Sequence, residues 1–125
     1  VDVRVMIPEK SDSRMVHWGT MSYLQELMEA GIKIYMYQKG FLHSKLIVCD
    51  DCLSSVGSTN MDFRSFEHNF EINAFMYDKT SALMLKDIFL SDQKDAKLLH
   101  LKEWRMRPWS QKVKESVIRL FAPLL

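Results

Sequence analysis

The hydrophobic period of the chain changes twice before Gln38, and this restricts the fold more than any other feature. Val1, Val3, Val5 and Ile7 alternate with polar or larger residues, the period of two of a strand, which Pro8 closes. Glu9 to Ser13 is polar and turn-like. From Val16 to Ala30 the residues Met21, Leu24, Leu27 and Met28 recur at helical spacing, and Gly31 follows as a helix stop. Ile32 to Tyr37 is β-branched and aromatic, a second strand. A strand, a helix and a strand in this order predict an α/β domain.

The same reading continues along the chain. Leu42 to Cys49 is predicted as a strand, Asp50-Asp51 as a turn and Leu53 to Val56 as a short strand. Gly57 to Ser65, rich in Gly, Ser, Thr, Asn and Asp, reads as a loop. Asn69 to Met76 is predicted as a further strand, and Asp78 as the N-cap of a helix from Thr80 to about Ser91. Lys94 to Leu125 is basic, with eight Lys/Arg against three acids. After Pro108, the residues Val113, Val117, Leu120, Phe121 and Leu124 form one apolar helix face, expected to pack on the domain rather than on a membrane. With 125 residues the chain is read as one domain, 1–125, with a basic helical tail over 93–125. It begins inside a strand without Met, and is read as a piece of a longer protein. A net charge of +1 gives no bulk attraction to nucleic acid.

Cys49 and Cys52 form a C-x-x-C pair, but no second pair of zinc ligands follows. They read as small, partly buried residues flanking the turn. The chemistry lies in His43-Ser44-Lys45 and Asp50, an H-x-K-x4-D pattern. On one strand face an imidazole and an ammonium would lie side by side. The imidazole titrates near neutrality and can be nucleophile or general acid/base; the ammonium can hold a phosphate. Gly57-Ser58-Thr59-Asn60 follows, where Ser58 and Asn60 can donate to phosphoryl oxygens and Gly57 lets the backbone approach a ligand. Glu71, on the next strand, is placed to accept a hydrogen bond from His43 and fix its tautomer. Each fragment alone is a common turn or loop; the ordered set is what carries information.

His43, Lys45 and Asp50 resemble the HKD motif of the phospholipase D superfamily, and Gly57, Ser58 and Asn60 its G-S-x-x-N extension. Gly40–Lys45, Ser58–Ser65 and Asn69–Ala74 are similar to the second motif region of cardiolipin synthases, as are Val3–Pro8, Arg107-Pro108-Trp109 and the terminal Ala122–Leu125. The resemblance implies a mixed β-sheet flanked by helices, forming the C-terminal catalytic half of such an enzyme. It implies His43, Lys45, Asp50 and Glu71 as catalytic residues, and Lys45, Ser58 and Asn60 as phosphate-binding ones. It implies no metal and no cofactor, since lysines provide the positive charge. The partners implied are a phospholipid substrate, phosphatidylglycerol; an upstream HKD half or a second copy of the chain; and a membrane surface, with no nucleic acid. The location implied is the bacterial cell membrane, with the catalytic domain on the aqueous, cytoplasmic side. No second H-x-K occurs, as His17, His68 and His100 are each followed by other residues. A single-motif nuclease complete as a homodimer is the alternative, and a catalytically dead interaction module a third reading.

Overall fold

A computed structural model describes residues 1–11 and 13–121. The elements are β1 (Arg4–Pro8), α1 (Arg14–Glu29), β2 (Lys33–Tyr37), β3 (Leu46–Cys49), β4 (Leu53–Gly57), α2 (Phe63–Glu67), β5 (Asn73–Met76), α3 (Lys79–Gln93), β6 (Ala96–Leu98), α4 (Leu101–Arg105) and α5 (Trp109–Arg119). The α/β expectation holds, with the strands divided between two sheets. In the first, β2 is central, parallel to β1 and antiparallel to β6. The second is the antiparallel run β3-β4-β5, with Leu46 opposite Val56 and Gly57 opposite Asn73. Helix α3 packs against strands of both sheets.

Local chemistry explains the helix ends. Ser13 caps α1, its hydroxyl accepting from Val16 N–H. The helix closes in a Schellman motif. Gly31, at φ 87°, donates to the Met28 carbonyl, and Ile32 donates to that of Leu27. Asp78 caps α3 through Ser81 N–H at 2.7 Å, as its sequence position predicts.

The core lies between α1 and the first sheet. Met21, Leu24, Ile34 and Trp104 are buried, and Val5, Ile7, Leu27, Ile32 and Met36 pack around them. Leu24 is 1% exposed, so Leu24→Ala is expected to lower unfolding free energy by about 2–5 kcal/mol. Urea denaturation checks this; an unchanged midpoint would move the core elsewhere.

The tail differs from expectation. Within it lie a strand, β6, and a short helix, α4, that hydropathy leaves hidden. Helix α5 does pack on α1, but not by its apolar stripe: Val113, Val117, Leu120 and Phe121 are exposed. The covered side instead holds Glu115, paired with Arg107 at 2.6 Å. Arg119 pairs with Glu26 of α1 and lies over the Tyr23 ring. Leu124 and the rest of Ala122–Leu125 lie outside the described residues.

Candidate active site

The motif residues flank the strands of the second sheet, and three of them approach one another at Gly57. Lys45, just before β3, accepts a hydrogen bond from Gly57 N–H through its carbonyl (3.2 Å), and Ser58 N–H donates to the Ile72 carbonyl at 2.9 Å. This brings Lys45, Ser58 and Glu71 to one end of the second sheet. Gly57 is required there by strand packing. A Cβ on it would lie 1.8 Å from Asn73 Oδ1 and 2.3 Å from the Ile72 carbonyl oxygen. The glycine therefore serves the approach of β5 and its leading residue, a packing role the sequence did not indicate.

Glu71 is the hub. Its Oε2 accepts a short hydrogen bond from Ser58 Oγ; its Oε1 accepts from Ser65 Oγ at 2.9 Å and Asn69 Nδ2 at 3.3 Å. The Ser58 hydroxyl in turn accepts from Ile72 N–H at 3.0 Å. These donors, Ser58 first and then Ser65, hold the Glu71 carboxyl below the usual glutamate range, and the positive charge of Lys45 acts in the same direction. Glu71 therefore stays ionised to lower pH than an ordinary glutamate. The stabilisation from its lowered pKa is present above the unfolded value and is lost as pH falls through the folded one.

At three points the geometry departs from what the sequence predicts. His43 does not bond to Glu71; its exposed ring stacks on Phe41, centroids 5.5 Å apart, while its carbonyl accepts from Lys45 Nζ at 2.9 Å. The cause is that residues 41–45 are irregular and the strand starts only at Leu46, so the strand-face argument for His43 and Lys45 does not apply. Ser58 Oγ donates to Glu71, and Lys45 and the Asn60 amide are the other candidate phosphate donors. Asp50 lies away from this end of the sheet. It and Asp51 occupy the left-handed region, at φ 48° and 56°, in the β3–β4 turn, on the order of 15 Å along the strand from Lys45 at about 3.3 Å per residue. Asp is among the few side chains that tolerate this conformation, so Asp50's place in the motif is explained by the turn.

The remaining groups lie elsewhere. Cys49 and Cys52 flank that turn as expected, but both are exposed thiols and not partly buried. Among the described residues no three His, Cys, Asp or Glu side chains come together to hold a metal ion, so the zinc reading of the pair has no ligand set. A cleft of about 400 Å³ between α1 and the α4–α5 segment is lined by His17, Trp18, Trp104 and Arg107, and by none of the motif residues. Ser65 and Asn69 were not singled out as site residues from sequence. Their signal is their position: Ser65 closes the Ser58–Ser65 run and Asn69 opens Asn69-Phe70-Glu71.

Residues 1–93 match the family described as cardiolipin synthase, PLD-like domain. The chain belongs to this family. Over all 125 residues it is 49% identical to cardiolipin synthase 1 of Staphylococcus epidermidis (strain RP62A), and 47% identical to the cardiolipin synthase of Geobacillus kaustophilus. It spans 26% and 25% of those two relatives, about a quarter of their length. Two solved structures share the fold. One is the phospholipase D family member Nuc of Salmonella typhimurium, with TM-score 0.68 and 19% identity over 80% of this chain and 65% of that one. The other is phosphatidylserine synthase of Haemophilus influenzae, with TM-score 0.69 and 16% identity over 99% of this chain and 36% of that one. Among the described residues no helix is long and apolar enough to cross a membrane.

Proposed function

We propose that this chain forms the C-terminal catalytic half of a membrane-associated phosphatidyltransferase that makes cardiolipin from two phosphatidylglycerol molecules and releases glycerol. The observation that carries this reading is 49% identity to a cardiolipin synthase across every residue of the chain. The site is compatible with it. His43 is the acid/base, Lys45 and Asn60 hold the phosphate, and Glu71 orients the His43 ring. A carboxylate has about four acceptor sites, and Ser58, Ser65 and Asn69 use three here. Ser58 is the one donor to Oε2, and an imidazole N–H of His43 is the further donor that this reading assigns to it.

The reaction proceeds in two displacements. A histidine of the other half attacks the phosphorus of one phosphatidylglycerol, forming a P–N bond as the P–O bond to glycerol breaks. His43, as imidazolium, gives its proton to the departing glycerol oxygen. It then takes a proton from a hydroxyl of the second phosphatidylglycerol. That oxygen attacks phosphorus, the P–N bond breaks, and cardiolipin leaves with net retention. The other half is either the upstream part of the same protein or a second copy of this chain. The exposed apolar side chains of the second sheet, Ile47 at 54% and Phe75 at 62%, are suited to such a partner.

The test uses the full-length protein with phosphatidylglycerol in mixed micelles. Cardiolipin and glycerol should appear in equal amounts, with and without EDTA, because lysines and not a metal neutralise the phosphate. Cleavage of DNA without any lipid product would replace this reading by the nuclease one. Activity lost in EDTA and restored by metal would refute the metal-free mechanism.

A further inference from the structure

Ser65 joins three parts of the site that sequence separates. It is 6% exposed, among otherwise exposed neighbours in α2. Its hydroxyl donates to Glu71 Oε1 at 2.9 Å and accepts from Asn60 N–H at 3.2 Å. Its own N–H donates to Asp62 Oδ1 at 2.8 Å, the capping bond of α2. The hydroxyl thus has its one proton directed to the carboxylate and a lone pair occupied by the backbone of the Asn60 loop. Ser65 in turn is fixed by the cap, so its orientation is determined before any substrate arrives.

We propose that Ser65 is a positioning residue, locking the Glu71 carboxylate and the Asn60 loop into one arrangement through Asp62. It acts through Glu71 and Asn60 and does not touch the reacting atoms. The role in turnover rests on the phosphatidyl-transfer reading above; the role toward Glu71 does not. Without the hydroxyl, Glu71 loses one of its donors and the Asn60 N–H loses its acceptor. The carboxylate is then held only by Ser58 and by the longer 3.3 Å contact from Asn69. A histidine oriented by that carboxylate loses alignment, which affects the chemical step more than substrate capture.

The experiment compares Ser65→Ala and Ser65→Thr in the full-length protein. Ser65→Ala should lower kcat by about ten- to a hundredfold, since a misplacement of about 1 Å arising away from the chemistry can cost about a hundredfold, with KM within about twofold. The acid limb of its pH–rate profile should move to higher pH, because Glu71 then protonates more readily. Ser65→Thr retains the hydroxyl and should restore both kcat and the acid limb. Should Ser65→Ala fail to fold, Ser65→Cys keeps the size with a weaker donor and should show the same shifts in smaller degree. Independently of turnover, the Glu71 carboxylate of labelled protein should titrate at higher pH in Ser65→Ala or Ser65→Cys than in the unsubstituted protein. Absence of transfer by the unsubstituted protein would defeat the functional reading and leave this titration to decide the inference. An unchanged Glu71 titration, or an unchanged kcat and pH profile in an active enzyme, overturns it.

Discussion

Replacing His43 by alanine in the full-length protein is expected to abolish cardiolipin formation while leaving the fold intact. A positioned acid/base contributes about 10²–10⁴ in rate, and His43 would act in both displacements, so the loss should reach at least the upper part of that range. Stability should hardly change. The ring is exposed and stacks only on Phe41, and surface substitutions of this kind stay within about 0.5 kcal/mol. The step most affected is protonation of glycerol. A phosphatidyl ester of p-nitrophenol needs no such proton, and should still load the partner histidine in His43→Ala. Intact-protein mass spectrometry would detect that adduct. Finding the adduct on His43 itself in the unsubstituted enzyme would exchange the two roles, and wild-type turnover by His43→Ala would remove His43 from the mechanism.

Legibility from sequence varied with the length of the element. Helix α1 could be bounded closely because its apolar repeat is long and ends at Gly31. Helices α2 and α4 have five residues each and β6 has three, too few to display a period. The cap that starts α2 is Asp62 with Ser65, and those residue types also mark loops. The strand before the β3–β4 turn was drawn too long because Leu42 to Lys45 has no sequence feature that forbids extension. Its start is set by the partner: the β4 ladder ends at Gly57, opposite Asn73 and bonded to Lys45. That late start also releases His43 from the face assumed for it. In α5 the apolar repeat was legible, but not which side faces the protein. The ion pairs on its covered side join residues 8 positions apart, Arg107–Glu115, and 93 apart, Arg119–Glu26, spacings that a helical repeat does not display. The site was half legible for a similar reason. Glu71 was recognised as a hydrogen-bond acceptor, yet its donors, Ser58 and Ser65, are defined by three-dimensional approach and not by spacing.

Gly57→Ala should damage this site through the backbone, more than its single added methyl group would imply. The new Cβ would meet the Ile72 carbonyl oxygen at 2.3 Å, and backbone at that distance cannot rotate away as a side chain can. Strand β4 must separate from β5 or its leading residue. The contacts broken first are those beside the glycine: Ser58 N–H to the Ile72 carbonyl, and Ile72 N–H to Ser58 Oγ. Ser58 then no longer holds Glu71. Overpacking costs about 1–3 kcal/mol, and losing the strongest donor to Glu71 should reduce kcat by about tenfold or more beyond any loss of folded protein. Gly40→Ala is the matched control. No atom lies within 4 Å of a Cβ there, and its φ is not in the left-handed region, so it should be neutral or stabilise by up to about 1 kcal/mol through the unfolded chain. Thermal unfolding and single-turnover rates of the two variants separate a general effect of losing glycine from the specific approach of β5. A Gly57→Ala protein with unchanged melting temperature and unchanged rate would mean that the strands at this end of the sheet are farther apart, and the Ser58–Glu71 contact with them.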